Sequence, residues 1–135
     1  MAKTQAAVSG KPMMYAAVFV GGAAGSILRE LFALEIPGMP LLTSTFGINV
    51  VACFILGWLY AIRGRVHAHV LHLGAVGFCG GLSTFSSFAA ELERIAETDG
   101  WSVIFPLAAE VIFGLGAAIL GEAIGRRRRS GGPAE

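Results

Sequence analysis

Charged side chains are scarce in this sequence, and their scarcity limits the class of protein that it encodes. Asp, Glu, Lys and Arg make up 14% of its 135 residues, whereas about a quarter of the residues in an ordinary soluble domain are charged. Hydrophobic residues make up 55%, and a soluble domain this short buries only about 60–70% of the surface that its unfolded chain exposes. The composition therefore argues against a soluble domain and indicates a membrane protein.

Cysteine and net charge are low as well. Cys53 and Cys79 are the only cysteines, and both fall inside apolar stretches, where they are typical of small packing residues rather than of a disulfide framework. The formal net charge of +1 argues against a nucleic-acid-binding protein, because that class carries a basic domain. No nucleophile–base pair and no set of metal ligands is present in the sequence, so we do not expect an enzyme.

Long uncharged stretches are the main positive feature. Residues 12–28, 36–62 and 66–90 contain no Asp, Glu, Lys or Arg, and Glu110 alone interrupts residues 100–121. About 20 mostly apolar residues cross a bilayer, so the sequence predicts an all-α membrane protein with four transmembrane helices. The predicted spans are at about residues 13–33, 41–62, 69–94 and 101–124.

The charges outside the spans predict the topology. With the N-terminus in the cytoplasm, eight basic residues lie inside and only Arg29 and Arg94 lie elsewhere; the eight are Lys3, Lys11, Arg63, Arg65 and Arg126 to Arg129. Because Lys and Arg favour the cytoplasmic side, both termini are predicted to be cytoplasmic. The predicted organisation is a four-span domain at residues 13–125, with short disordered tails at residues 1–12 and 126–135.

Polar side chains inside the spans mark candidate sites, because unsatisfied polar groups are expensive in lipid. Thr45, Asn49 and Cys53 share one face of the second span at helical spacing. The Asn49 amide is suited either to an interhelical hydrogen bond or to a ligand in a pore. Arg29, at the end of the first span, is suited either to reaching the membrane surface or to attracting an anion.

The third span carries the most informative run, GFCGGLSTFSSF at residues 77–88. Gly80-Gly81 is typical of a helix end, and Ser83-Thr84 is typical of a helix start. The pattern predicts a helix that breaks in mid-membrane and restarts at about Thr84. Such a break frees backbone carbonyls, which can hold a small cation.

Aromatic and hydroxyl side chains follow the predicted break. Phe85 and Phe88 lie on one helix face, and the edges of aromatic rings carry positive charge that attracts a small anion. The hydroxyls of Ser86 and Ser87 add hydrogen-bond donors. A pair of phenylalanines is usually core packing, but the adjacent break and serines favour a functional role.

These motifs together resemble the CrcB/Fluc family of fluoride channels. The resemblance covers about residues 13–125 and is carried by Gly21-Gly22-x-x-Gly25-x-x-x-Arg29, by Thr45-x-x-x-Asn49 and, most specifically, by the 77–88 run. It implies passive export of fluoride across the plasma (inner) membrane, which lowers fluoride toxicity in the cytoplasm. It also implies an antiparallel dimer of four-helix subunits with two pores.

The resemblance also assigns residues by their position in the motifs. A structural, non-transported Na⁺ at the dimer interface is expected on the backbone carbonyls of Gly80 and Ser83, as the only cofactor. The residues expected in the pore or as anion donors are Asn49, Phe85, Phe88, Ser86, Ser87 and Arg29. Further candidates are Thr45, Glu91 (a carboxylate that follows the phenylalanines) and Glu110.

Two features depart from the family pattern. Glu110 stands about where the fourth span of the family usually carries a serine, and a carboxylate there would repel an anion unless it is protonated or paired. In addition, subunits that insert in both orientations should show almost no charge bias. The bias in this chain therefore favours a heterodimer with a homologous subunit of opposite topology, with a homodimer as the alternative.

Two other functions remain open at this point. Small four-span proton-coupled exporters of drugs or cations are similarly short, but they depend on a carboxylate within the first span, where this chain has Glu30 only at the end. The other alternative is a pore-degenerate partner subunit of a fluoride-channel heterodimer, which Glu110 would permit. The expected partners are fluoride, a second subunit and the lipid bilayer, with no nucleic acid.

Overall fold

A computed structural model of the chain describes residues 11–35 and 41–130, and every regular element in that part is helical. Helix α1 is Lys11–Glu35 and helix α2 is Leu41–Ile62. The third segment, residues 68–98, contains several shorter elements, and the last long helix follows a single 3₁₀ turn at Gly100–Val103. The predicted tails lie outside the described residues at positions 1–10 and 131–135.

Four segments are long and apolar enough to cross a membrane, which confirms the predicted all-α, four-helix class. They are Lys11–Phe32, Thr45–Ile62, Ala68–Thr98 and Gly100–Arg128. Few side chains are buried within the chain, and many large apolar ones lie on its outer surface, among them Phe19, Val51 and Phe105. In water such a surface would be unfavourable, whereas lipid or a second subunit covers it at no such cost.

The third segment is irregular in two places. It begins as α3 (Ala68–Leu71), continues as a π-helix (His72–Phe78) and ends its first half as α4 (Cys79–Leu82). A π-helix of this length is uncommon, because most occur as single-turn bulges. Ser83 and Thr84 then adopt extended backbone, with ψ of 151° and 108°, before α5 (Phe85–Thr98) begins.

Glycines allow α1 to pack directly against the first half of the third segment. A Cβ atom added at Gly25 would lie 2.7 Å from the backbone nitrogen of Leu82, and one added at Gly77 would lie 2.6 Å from the carbonyl oxygen of Val18. No side chain fits at these distances, so the two backbones touch. This is the close approach that small residues spaced four apart permit between membrane helices.

Helices α2 and α6 (Ile104–Ser130) form the second closely packed pair. A Cβ atom at Gly121 would lie 3.0 Å from the backbone nitrogen of Trp58, near the end of α2. The guanidinium of Arg65, just after α2, donates to the carbonyl of Arg128 at 3.3 Å. The two helices therefore run parallel and carry their basic C-terminal ends to the same end of the bundle.

Helix α6 is longer than predicted, because it continues through the arginine run to Ser130. Residues 126–130, which the sequence places in the C-terminal tail, are part of this helix. Arginine is a good helix former, and Arg126 Nε donates to Glu122 Oε1 at 3.0 Å, four residues earlier on the same face. Positive charge at the end of a helix also stabilises its dipole.

A small apolar core fixes the position of α2 along the third segment. Ile48, Ala52 and Leu82 form one buried cluster, and Leu28 and Phe78 pack against it. Ile48 directly precedes Asn49, and Leu82 directly precedes the extended residues Ser83 and Thr84. The core thus places the Asn49 side chain beside the interruption of the third segment.

Candidate functional site

The side chain of Asn49 bridges α2 and the interruption of the third segment. Its Oδ1 accepts a hydrogen bond from the backbone N–H of Thr84 at 3.0 Å. A backbone N–H bonds only to an acceptor, so the oxygen of the amide must face Thr84 and the NH₂ group must face away. Asn49 therefore presents its two N–H donors to the side opposite the break.

Thr84 caps the N-terminus of α5. Its Oγ1 accepts from the backbone N–H of Ser87 at 3.3 Å, as side chains at helix starts commonly do. The same hydroxyl donates to Ser87 Oγ at 3.1 Å and lies 3.2 Å from Ser86 Oγ. Since the single hydrogen of Thr84 goes to Ser87, Ser86 is the donor to Thr84, and the hydrogen of the Ser87 hydroxyl is left for another acceptor.

These two side-chain contacts release two backbone carbonyls. In an unbroken α-helix the N–H of Thr84 would donate to the carbonyl of Gly80, and the N–H of Ser87 to that of Ser83. Asn49 takes the first N–H and Thr84 Oγ1 takes the second. The carbonyls of Gly80 and Ser83 thus lose their helical donors.

The surroundings of Gly80 and Ser83 fit a site built from backbone oxygen. Gly80 is exposed on the surface of the single chain, and a Cβ atom there would meet nothing within 4 Å. Unwound carbonyls of this kind coordinate Na⁺ in membrane transporters. Across residues 11–35 and 41–130, no group of three His, Cys, Asp or Glu side chains is placed to hold a metal ion. A cation at this point would therefore depend on the carbonyls.

Thr45 and Glu91 form a buried polar contact one helical turn from Asn49. Thr45 Oγ1 donates to Glu91 Oε1 at 3.2 Å, joining α2 to α5. Both residues are buried, and the Glu91 side chain is only 6% exposed. The second carboxylate oxygen, Oε2, is buried with no hydrogen-bond partner in the described part of the chain.

Glu110, on α6, completes a polar cluster with Thr45, Asn49 and Glu91. Its carboxyl group lies beside the Asn49 side chain and near the side chains of Glu91 and Cys53. Its Oε2 is likewise buried, and no residue that the structure describes bonds to it. Three helices thus bring two carboxyl groups and one amide to a single place.

The two phenylalanines that follow the break lie in different environments. Phe88 is 4% exposed, and it lines a cavity of about 410 Å³ between α2, α5 and α6, together with Phe46 and Phe105. Phe85 is 81% exposed on the outside of the single chain. Only Phe88 therefore belongs to the interior of this bundle, and Phe85 faces lipid or a second subunit.

Arg29 lies apart from the polar cluster. Its guanidinium approaches the neighbouring Glu30 carboxylate at 3.6 Å, and about a third of its side chain is exposed. No hydrogen bond or ion pair within the described residues joins it to Asn49, Glu91 or Glu110. Of the predicted residues, Asn49, Ser86, Ser87, Thr45, Glu91 and Glu110 are brought together around the break and Arg29 is not.

Comparison with known proteins places the chain in a family. Residues 16–122 match the family model described as "CrcB-like protein, Camphor Resistance (CrcB)". The chain belongs to the CrcB family. A CrcB relative from Ruegeria pomeroyi, named fluoride-specific ion channel FluC, is 62% identical over 117 residues, which is 86% of this chain and 93% of the relative.

More distant CrcB relatives carry the same name. The relative from Ignicoccus hospitalis is 39% identical, and the match covers 82% of this chain and 93% of the relative. The relative from Methanopyrus kandleri is 38% identical, and the match covers 78% of this chain and 83% of the relative. These names describe ion channels rather than enzymes. With its four helices long and apolar enough to cross a membrane, this CrcB chain is a multi-pass membrane protein.

Thr84 is the residue of this CrcB site that sequence reasoning missed as a functional candidate. It appeared only as the predicted helix start, yet its N–H, its hydroxyl and its cap position connect Asn49, Ser86 and Ser87. The available signal was its N-cap position two residues before the pair Ser86-Ser87. The hydroxyl of an N-cap threonine bonds to a backbone N–H, so the hydroxyls of neighbouring serines remain available to other partners.

Proposed function

We propose that the chain is a subunit of a fluoride-specific channel that exports fluoride passively across the plasma membrane and so lowers fluoride in the cytoplasm. The observation that carries this proposal is the orientation of Asn49, whose oxygen is held by Thr84 and whose N–H donors lie on the side of Glu110. The names of the relatives support the choice of ion.

Hydrogen-bond donors without fixed positive charge suit a fluoride pore. Fluoride is small and tightly hydrated, so a pore must replace the hydrogen bonds of water, yet must not bind the ion too strongly to release it. The Asn49 amide and the Ser87 hydroxyl both have a hydrogen to donate in the contacts described above. The positive ring edges of Phe85 and Phe88 add weaker attraction.

Hydroxyl groups in series strengthen the Ser87 donor. Ser86 donates to Thr84, and Thr84 donates to Ser87 at 3.1 Å. Each hydrogen bond in such a chain polarises the next, so the last hydroxyl is a better donor than an isolated serine. In this proposal Ser87 and Asn49 make the principal contacts to the ion, and Ser86 and Thr84 orient Ser87.

A structural Na⁺ on the carbonyls of Gly80 and Ser83 belongs to the same proposal. The ion would neutralise the two carbonyl dipoles that the break leaves without donors, and it would not move with fluoride. One chain offers two such carbonyls, and the exposure of Gly80 leaves room for the same pair from a second subunit. The proposed assembly is an antiparallel dimer with the breaks of the two subunits face to face.

The charge distribution favours a heterodimer over a homodimer. Arg63, Arg65 and Arg126 line one cavity of about 360 Å³ at a single end of the bundle. Such one-sided basic charge favours one orientation, with both termini in the cytoplasm. Tags at both termini, scored for accessibility in intact cells, test this point: a single cytoplasmic orientation is expected, and equal amounts of the two orientations would exclude the heterodimer.

Growth in fluoride tests the proposed function in cells. Cells that lack their own fluoride exporter are expected to grow in fluoride when they express this chain, together with any homologous subunit of its native host. The same cells expressing Asn49→Asp, which keeps an acceptor for Thr84 but loses both N–H donors, are expected to stop growing. Equal growth of cells with the wild-type chain and with an empty vector would contradict the proposal.

A further inference from the structure

Glu110 is a half-buried residue, and the proposed pore assigns no role to its carboxyl group. It lies on α6 beside Asn49, the central donor of that pore, and its Oε2 has no partner among the described residues. An ionised carboxylate at this point would repel the anion that the pore must pass. Either Glu110 blocks conduction or it is not ionised there.

Among the residues that the structure describes, no basic group balances a negative charge on Glu110. Its carboxyl group lies beside Asn49 and acts electrostatically on Cys53, both on α2, and it acts on Glu91, a second carboxyl group, on α5. In the parts of the chain that the structure describes, the basic side chains in ion pairs are Arg29 with Glu30 and Arg126 with Glu122. Arg94, on α5, acts on Glu91, and no basic side chain within the described residues acts on Glu110.

An unpaired charge between membrane helices is strongly unfavourable, and a buried carboxyl group avoids that cost by keeping its proton. A protonated carboxyl group has one oxygen that accepts and one O–H that donates. The accepting oxygen matches the Asn49 amide, whose donors face Glu110 because its oxygen is held by Thr84. The O–H then remains for a ligand at the same place.

We propose that Glu110 keeps its proton and donates a hydrogen bond from its O–H to fluoride as the ion passes Asn49. This inference rests on the proposed fluoride channel and adds a specificity-determining residue to it. Fluoride accepts hydrogen bonds more strongly than the larger halides do, so an O–H donor beside an amide favours fluoride over chloride. The carboxyl group thereby supplies a donor without a fixed positive charge that would trap the ion.

The proposal makes conduction dependent on pH. When Glu110 loses its proton, its O–H donor is lost and a negative charge appears next to the Asn49 amide. The amide hydrogens then bind the carboxylate, and the passing anion is repelled. Fluoride efflux through the wild-type protein is therefore expected to fall as the solution becomes alkaline.

The test measures voltage-driven fluoride efflux, over neutral to alkaline pH, from liposomes that contain the purified full-length protein together with any homologous subunit of its native host. Wild-type efflux is expected to fall about tenfold, because a hydrogen bond to a charged group is worth at least that factor. Glu110→Gln keeps a donor but cannot ionise, so its efflux is expected to be independent of pH. Glu110→Ala loses the donor and is expected to be about tenfold slower at every pH.

Glu122→Gln is the matched control, because Glu122 is a carboxylate on the same helix that pairs with Arg126 outside the polar cluster. It is expected to follow the wild-type pH profile. Identical pH profiles for wild type and Glu110→Gln would overturn the role of Glu110 while leaving the channel intact. Absence of wild-type fluoride efflux at every pH would instead overturn the proposed function.

Infrared difference spectra provide a second readout that does not depend on flux. Exchange of chloride for fluoride is expected to shift the stretching band of a protonated carboxyl group in the wild-type protein. The band should persist in Glu91→Gln and disappear in Glu110→Ser. Glu110→Ser is the variant to use if Glu110→Gln fails to fold. A wild-type spectrum without a protonated carboxyl band, or a band that persists in Glu110→Ser, would contradict the proposal.

Discussion

Asn49 and Thr84 meet across two separate membrane segments, with Asn49 Oδ1 accepting the backbone N–H of Thr84 at 3.0 Å. This single hydrogen bond has two consequences. It removes the donor that the carbonyl of Gly80 would have in a continuous helix, and it turns the amide hydrogens of Asn49 toward Glu110. The interruption of the helix and the orientation of the polar cluster therefore depend on the same contact.

Substitution of Asn49 separates its structural from its ion-binding contribution. Asn49→Ala leaves the Thr84 N–H buried without an acceptor and is expected to destabilise the fold by about 1–3 kcal/mol. Asn49→Asp keeps an acceptor for Thr84 but has no N–H donors, so it is expected to fold and to lose fluoride efflux. Thermal unfolding in detergent and efflux from liposomes measure the two effects. Full efflux from Asn49→Asp would remove Asn49 from the pore.

Substitution of Thr84 tests the N-cap that releases the Ser83 carbonyl. Thr84 is 7% exposed and caps α5 with its hydroxyl. Thr84→Ala is expected to lose about 1 kcal/mol of stability and to weaken the dependence of efflux on Na⁺, because the Ser87 N–H then returns to the Ser83 carbonyl. Thr84→Ser keeps the hydroxyl and serves as the control. Equal stability and Na⁺ dependence in the two variants would contradict this role of the hydroxyl.

Enlarging Gly25 tests the contact between α1 and the third segment. A Cβ atom at this position would lie 2.7 Å from the backbone nitrogen of Leu82, so Gly25→Ala must push the helices apart. We expect it to destabilise the protein by about 1–3 kcal/mol, as overpacking does. Gly116→Ala is the control, because a Cβ atom there would meet nothing within 4 Å. A similar unfolding temperature for both variants would show that the close packing is unimportant.

The two phenylalanines after the break are expected to respond differently to substitution. Phe88 is 4% exposed, so Phe88→Ala should cost about 3–5 kcal/mol of stability through lost packing. Phe85 is 81% exposed in the single chain, so Phe85→Ile should leave the subunit folded while it abolishes fluoride efflux. Unfolding curves and efflux rates of the two variants test this difference. Normal efflux from folded Phe85→Ile would exclude Phe85 from the pore.

The four membrane segments could be predicted from the sequence because each depends on a local apolar run. The end of α6 could not be predicted in the same way, because the arginines after Gly125 suggest a polar tail by composition alone. Their helical propensity and the pairing of Glu122 with Arg126 continue the helix instead.

The contacts of the candidate site were beyond prediction from local patterns. Thr45 and Glu91 are 46 residues apart, and Asn49 and Thr84 are 35 residues apart. Helical spacing put Thr45 and Asn49 on one face, but which residues face them depends on how α2, α5 and α6 pack. The unequal exposure of Phe85 and Phe88 also depends on how the helices pack, because a three-residue spacing places the two side chains at adjacent rather than identical angles around α5.

Ion efflux from liposomes containing the purified protein, together with any homologous subunit of its native host, tests the central claim most directly. With Na⁺ on both sides, the protein is expected to release fluoride far faster than chloride when a voltage drives the anion out. Replacement of Na⁺ by a large organic cation is expected to abolish the fluoride efflux, because that cation cannot fit between the carbonyls of Gly80 and Ser83. Fluoride release equal to that of protein-free liposomes, or equal rates for fluoride and chloride, would contradict the account.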